Sequence, residues 1–314
     1  MKDRTHAVQE IGFVFGNAIA HIDEVIGRGW KIDDFVNRLA FHLSASKDFF
    51  EEIAKYRAAR RIWYKLMKDT YSAENPKSWQ FRFHIQTAGS SLTQQQPMVN
   101  IVRTAYQALE AVLGGCQSMH TNSFDEALCL PSKEAVLLAL RTQQVIQDEI
   151  RVGNTIDPLA GSYYVEWLTD ELEERIWKYL DKLAGAGGIV KALESGWLYR
   201  EMRDAFKKRQ TKIELGEEKV IGVNRYLIDE VHFENVFRTN PEAGRMEIER
   251  IRKLKARRDN AKLEAALDVL RKVCDKQENV LPAVMEATKQ GATVGEICAI
   301  YREIFKVWEP PIVV

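Results

Sequence analysis

Residues 81–87 read Phe-Arg-Phe-His-Ile-Gln-Thr, a strict alternation of apolar and polar side chains. A period of two is the signature of a strand whose two faces meet different surroundings. Phe81, Phe83 and Ile85 point one way, and Arg82, His84 and Gln86 the other. The apolar set has to pack on helices. The polar set is the real constraint, because a strand in a parallel α/β sheet is ordinarily apolar on both faces. Two arrangements accommodate it: a wet or ligand-filled interior, or an edge strand with one solvated face.

The residues after this strand support a strand–helix–strand unit over residues 80–122. Val99, Val102, Tyr106, Leu109 and Leu113 recur at helical spacing, and Gly114-Gly115 closes the run as a C-cap does. A second strand is expected over residues 116–120, parallel to the first, with the helix outside. Strand, helix of about 15 residues and strand make a βα repeat. In such sheets, ligand groups lie where strands end and loops begin. Gln86-Thr87 and Gln117-Ser118-Met119-His120 sit near those ends.

Composition narrows the class. A chain of 314 residues has room for one large domain or two ordinary ones. With 46% hydrophobic and 29% charged residues it can bury a core and is not a disordered segment. Lys plus Arg and Asp plus Glu balance at 45 each, so no global field points to nucleic acid or an anionic membrane. Cys116, Cys129, Cys274 and Cys298 lie far apart and form no C-x-x-C pair. That argues against a zinc ribbon or a disulfide frame, leaves no metal site expected, and suits a reducing cytoplasm. No run of about 20 apolar residues exists and the opening Met-Lys-Asp-Arg-Thr-His leads into no signal-like segment, so no membrane span is expected.

Elsewhere the chain reads mainly as helices. Residues 9–27 and 47–68 are apolar-periodic, residues 132–150 form a helix with Ser132 as N-cap, and Val165, Leu168, Leu172, Ile176, Tyr179 and Leu183 make a stripe at steps of three and four. Gly185-Ala186-Gly187-Gly188 lacks the strand-then-helix setting of a phosphate loop and reads as a break between helices. His6 reads as part of a frayed terminus, and residues 220–224 as a short strand. From Asn240 the composition shifts to charge-dense helices, with Glu247 and Glu249 interleaved in a basic run that reads as a solvated face. The chain is expected to divide into two parts: residues 1–235, α/β, and residues 236–314, a helical C-terminal arm.

Four longer motifs carry a resemblance. They are H-I-Q-T-A-G-S-S-L-T (residues 84–93), N-I-V-R-T (100–104), G-G-C-Q-S-M-H-T-N-S-F-D-E-A-L-C-L-P (114–131) and N-T-I-D-P-L-A-G-S-Y-Y-V-E-W-L-T (154–169). Together they resemble the adenosylcobalamin-dependent acyl-CoA mutases of the methylmalonyl-CoA mutase large-chain type. The resemblance implies the second half of a TIM-type (β/α)8 barrel with a helical extension after it. It places Arg38 and Lys77 on the CoA moiety and Gln117 and Ser118 on the substrate. It places His84, Gln86, Ser90, Glu126 and Ala127 on the cobalamin cofactor. Arg57-Ala58-Ala59-Arg60 matches a family pattern; Ala40 replaces a family serine and Ser90 a family tryptophan, and His6 falls one place from the family's catalytic histidine. No residue is therefore assigned a catalytic role. Asp125 and Glu126 read equally well as first-turn acids of a helix, and the two readings are compatible.

The implied reaction is a radical carbon-skeleton rearrangement of an acyl-CoA, an isomerase activity. The family's first half-barrel is not recognisable here, nor is the D-x-H-x-x-G pattern whose histidine ligates cobalt. The resemblance therefore implies another chain, or another part of the same gene product, that supplies the missing half-barrel and a cobalamin-binding domain, an oligomeric assembly, and no activity for the isolated chain. A non-catalytic assembly or binding protein derived from the mutase, and a mutase of different acyl-CoA specificity, remain open alternatives.

Overall fold

In the computed structural model, which describes residues 5–229, 237–238 and 240–311, the alternating stretch becomes the middle strand of a three-stranded parallel sheet. The strands are β1 (Phe41–Ala45), β2 (Phe83–Thr87) and β3 (Ser118–His120), in that order. Phe41 pairs with Phe83, His42 with His84 and Ser44 with Gln86; His84 in turn pairs with Ser118 and Gln86 with His120. The parallel pairing expected of the two strands flanking residues 99–113 is present. β1 is not expected from the sequence, although Phe-His-Leu-Ser-Ala repeats the alternation of Phe-His-Ile-Gln-Thr and pairs with it in register.

The helices of this part are α1 (Thr5–Gly27), the single turn α2 (Ile32–Phe35), α3 (Phe49–Lys65), α4 (Val99–Leu113), α5 (Lys133–Gln144), α6 (Tyr163–Gly185), α7 (Gly188–Glu194) and α8 (Trp197–Glu214). α3 and α5 each widen into a turn of π-helix, Leu66–Thr70 and Val145–Ile150. α1 begins at Thr5, so His6 is helical and exposed rather than frayed. Ser132 caps α5 as expected, its hydroxyl accepting from the Ala135 amide at 3.3 Å. Residues 220–224 do not form a strand. They make a turn closed by one bridge between Ile221 and Arg225.

The core lies on the apolar side of the sheet. Leu43, Ala45, Phe83 and Ile85 are buried there with Ile11, Phe15 and Ile22 of α1, and with Ile62 and Trp63 of α3. Phe15, Phe41, Trp63 and Phe81 form an aromatic cluster with ring centroids 4.7 to 6.2 Å apart. Such pairs add to the burial term because edge and face carry opposite partial charge. The α6 stripe packs as its spacing predicts: Val165, Leu168, Leu172, Ile176 and Leu183 are all buried. α1 approaches α6 closely because Gly12 has no side chain; a Cβ there would lie 2.4 Å from the Tyr179 ring.

α4 departs from its sequence pattern. Val102 and Tyr106 of the apolar stripe are exposed, whereas Asn100, Thr104, Gln107 and Glu110 are buried. Asn100 explains part of this inversion. Its side chain bonds Thr93 through both the amide and the carbonyl and also reaches the Phe124 carbonyl, which ties the loops after β2 and β3 together. Three strands among the described residues make an α/β fold with a small parallel sheet, not a closed (β/α)8 barrel.

The chain divides into two compact units. The first contains the sheet and runs through Phe237, and the second spans Arg238–Pro310. The boundary expected at residues 235 and 236 lies outside the described residues. The second unit holds α9 (Pro241–Arg257), α10 (Asn260–Asp275), α11 (Leu281–Lys289) and α12 (Val294–Phe305). Leu263, Leu267 and Leu270 of α10, Ala283 and Ala287 of α11 and Ile300 of α12 form its core. Thr293 and Glu296 make a reciprocal capping box, and Arg258 grips the Glu296 carboxylate at 2.9 and 2.6 Å. The charge-dense α9 has no buried residue.

Candidate functional site

Alternation puts His42, Ser44, His84, Gln86, Ser118 and His120 on the face opposite the core. The His42 and His84 rings meet edge to face with centroids 5.0 Å apart. His84 Nδ1 lies 2.8 Å from the Ser118 hydroxyl. Burial first, then the neighbouring His42 and His120, hold the His84 imidazole below its usual pKa, which favours the neutral ring. The Gln86 amide donates to Asn122 Oδ1 at 3.0 Å, and the Asn122 backbone amide donates to the buried Thr87 hydroxyl at 2.8 Å. Among the described residues no group of three His, Cys, Asp or Glu side chains converges on a metal position.

Because the strands are parallel, the face has two distinct ends. Arg38 closes a short 3-10 turn two residues ahead of the segment that enters β1, and Lys77 lies in the turn leading toward β2; both are exposed. Asp33 organises this end. Its carboxylate accepts from the Glu74 amide at 2.9 Å and the Ser78 hydroxyl at 2.6 Å, so the Lys77 loop is fastened to α2. The Ser78 hydrogen bond is the main reason the Asp33 carboxyl titrates below its usual value. Gln117 stands at the same end, at the start of β3. Its amide is engaged locally at both ends, accepting from the Phe83 amide at 2.7 Å and donating to the Gly115 carbonyl at 3.1 Å.

At the other end, β2 runs into the turn Gly89–Ser91 with Ser90 exposed, and β3 runs into a tight loop that exposes Glu126 and Ala127. A Cβ on Gly89 would lie 3.1 Å from Asn122 Nδ2 and 3.9 Å from Glu126 Cγ, so the absence of a side chain lets the two loops approach. Asp125 is not in a first helical turn. It is buried, and its Oδ2 accepts from the Ser132 amide at 2.9 Å, which sets the loop leading into α5. Asn122 Nδ2 and Ser123 Oγ are buried here with no hydrogen-bond partner in the structure. Such groups are rare in native proteins and call for a missing partner.

Residues 4–307 match the family model described as methylmalonyl-CoA mutase. The chain belongs to the methylmalonyl-CoA mutase family. It is 45% identical over 293 residues to the 2-hydroxyisobutanoyl-CoA mutase large subunit of Aquincola tertiaricarbonis, covering 92% of this chain and 52% of that protein. It is 40% identical over 300 residues to the methylmalonyl-CoA mutase of Rhizobium meliloti (strain 1021), covering 95% and 42%. The methylmalonyl-CoA mutase of Escherichia coli (strain K12) is 40% identical over 298 residues, covering 93% and 41%. The chain thus spans about half the length of the curated relatives it matches.

Within this mutase-family chain, the sheet brings His84 and Ser118 into contact and sets Gln86 on Asn122. It separates Arg38, Lys77 and Gln117, at the amino ends of the strands, from Ser90, Glu126 and Ala127, at the carboxyl ends. His120, which the sequence places near a strand end, joins this arrangement; His42, Ser44, Asn122 and Asp33 complete it, and sequence reasoning does not single out these four as site residues. The repeat of Phe41–Ala45 in Phe83–Thr87 is the signal that finds His42 and Ser44. No comparable signal marks Asp33.

Proposed function

We propose that the chain forms part of the site of an acyl-CoA mutase, with substrate and cofactor laid along the polar face of the sheet. Arg38 and Lys77 meet the anionic CoA end, His84 and Gln86 the acyl group, and Ser90, Glu126 and Ala127 the corrin ring of adenosylcobalamin. The observation that carries this reading is the polarity of the face. Exposed cations stand where the strands begin, neutral hydrogen-bonding side chains line the middle, and small or polar residues rim the carboxyl ends. Four residue steps along β2 cover about 13 Å, a span suited to an extended pantetheine arm.

The carboxyl rim fits a broad, flat ligand. Gly89, Ser90 and Ala127 raise no bulk, and the buried Asn122 amide lacks the acceptor that a corrin amide supplies. When bound, adenosylcobalamin supplies the radical chemistry. The residues of this chain bind, orient and exclude water. The neutral His84 ring, set by Ser118 Oγ, offers its remaining nitrogen to the acyl carbonyl, and Gln86, braced on Asn122, holds the neighbouring side of the substrate. Arg38 is apt for phosphate because its planar fork makes two parallel hydrogen bonds. The relatives' names span two acyl groups, so the substrate class is acyl-CoA rather than one thioester.

The site is completed by residues outside this chain. α5 exposes Val136, Leu137 and Leu140, each about half accessible or slightly less, at 50%, 50% and 48%. An apolar face of this kind marks a contact. The test is reconstitution. Size-exclusion chromatography with light scattering should show the isolated chain self-associating or complexed, and an acyl-CoA isomerisation assay with added adenosylcobalamin should show no turnover. Co-expression with the portion of the relatives that this chain does not cover should restore it. Turnover by a pure monomer, or no turnover and no acyl-CoA binding in the reconstituted complex, overturns the reading.

A further inference from the structure

α4 and the first turn of α3 line an open cavity of about 530 Å³, reaching from exposed Tyr106 to buried Glu110, that the acyl-CoA reading does not use. That volume lies in the range of small-molecule sites. Its walls include Phe50, Tyr106 and Leu109, and its mouth carries Lys47 and Arg103. The cations are incompletely balanced. Glu218 pairs with Lys47 at 3.2 Å and with Arg209 at 3.2 Å, so one carboxylate serves two cations. Arg103 adds a third charge and bonds only neutral groups: Thr93 Oγ1 at 3.0 Å, Asn100 Oδ1 at 2.8 Å and the Ile221 carbonyl at 2.7 Å. Asp48, whose charge reaches Glu110, is the second carboxylate here, so three cations face two carboxylates and an excess of one positive charge stands over an apolar wall.

The lining also holds polar groups whose hydrogen bonding is incomplete. Gln107 is 3% exposed and Glu110 1% exposed, and both line the cavity. Gln107 Nε2 is bonded to Ser91 Oγ, but Gln107 Oε1 and Glu110 Oε1 are buried with no partner in the structure. Burial of this kind without a partner is costly. Burial and the nearby Glu52 carboxylate push the Glu110 carboxyl up to about 10, so it stands as a neutral acid able to donate an O–H. An apolar wall, an excess of one positive charge and a buried donor without an acceptor are the complement of one chemical class.

We propose that this cavity binds a small amphipathic organic anion, a carboxylate head with a hydrocarbon body. The head lies against Lys47 and Arg103, within reach of the polar groups of α4, and the hydrocarbon lies on Phe50, Tyr106 and Leu109. None of these residues belongs to the acyl-CoA face, so the proposal stands or falls separately from it.

The experiment is isothermal titration of the full protein with octanoate as probe. Octanol, with the tail but no charge, and acetate, with the charge but no tail, serve as comparators. Octanoate should bind more tightly than either. Lys47→Gln, at a partly exposed position whose loss leaves the core intact, should weaken octanoate about tenfold and leave octanol unchanged; tenfold is the scale of one charge-assisted hydrogen bond. Glu110→Gln keeps a neutral donor in place and should retain octanoate binding. Equal affinity for octanoate and octanol, octanoate binding that Lys47→Gln does not change, or no octanoate binding overturns the proposal.

Discussion

Glu110→Gln should make the protein more stable at neutral pH. Glu110 is 1% exposed on α4. Burial first, then the Glu52 charge, raise its carboxyl from 4.5 to about 10, with Lys55 opposing. The folded protein therefore holds a proton on this group that the unfolded chain has released at pH 7. Between 4.5 and about 10 the folded state binds more protons, so this residue makes stability fall as pH rises. Two and a half pH units separate neutrality from the ordinary value, which amounts to about 3 kcal/mol at pH 7 and about 1 kcal/mol at pH 5. Glutamine has the same shape, carries no charge and supplies an N–H where the acid supplies an O–H. The variant should gain those amounts over the parent, with the gap widening as pH rises. Urea unfolding followed by tryptophan fluorescence at pH 5, 7 and 8.5 measures it. A variant no more stable than the parent, or a gain that does not change with pH, would refute the reasoning.

Three further outcomes are expected. Arg38→Ala in the assembled enzyme should weaken acyl-CoA binding by about 1.5–3 kcal/mol, roughly ten- to 150-fold, and an unchanged Kd by calorimetry removes Arg38 from the site. Lys55→Met should cost about 3–5 kcal/mol, because Lys55 is fully buried between Glu10 and Glu52 at 2.6 Å from each and its loss leaves both acids without a cation; a thermal unfolding midpoint equal to the parent's contradicts this. The Glu166 carboxyl is held at about 2, chiefly by the hydrogen bond from Arg57, so its stabilisation is complete above 4.5 and fades as pH falls toward 2. Glu166→Gln should flatten that part of the acid limb in urea midpoints between pH 2 and 5, and an unchanged slope counts against the pairing.

Much of the sheet and of its polar face is legible in the sequence because both are written in short contiguous motifs. Residues 81–87 announce both the strand and its unusual polar face, and residues 114–131 the second strand and its loop. β1 is not legible as a strand, since five residues between two helical patterns carry little periodic signal. The resemblance of Phe41–Ala45 to Phe83–Thr87 hints that His42 is the counterpart of His84, and the register establishes it. α4 shows a different limit. Its spacing establishes a helix, but spacing cannot say what each face meets, and the side that packs inward is the one with Asn100, Thr104, Gln107 and Glu110. Asn100 is buried because Thr93 in the preceding loop and the Phe124 carbonyl, 24 residues on, satisfy it. The turn at residues 220–224 reads as a strand by composition, but the Asn224 side chain donates to the Ile213 and Glu218 carbonyls and accepts from the Val220 amide, which folds the segment back on itself.

The buried charges behind the sheet connect stability to the site. Ser44 presents its amide and hydroxyl to Glu10 Oε1 at 2.7 and 2.9 Å, and its carbonyl to Lys55 Nζ at 2.8 Å and the Tyr56 hydroxyl at 2.7 Å. Those groups belong to a strand with one neighbour in the sheet among the described residues, so without the cluster they would stand as an unpaired edge. Glu10 keeps its charge despite burial because Lys55 lies against it, while Glu52 is raised by burial and titrates later. The effect is to lock β1 in one register. A slip of one residue would turn His42 from the polar face into the aromatic core. The ion cluster therefore positions His42 beside His84, and loosening it should disturb the polar face of the sheet before it unfolds the unit.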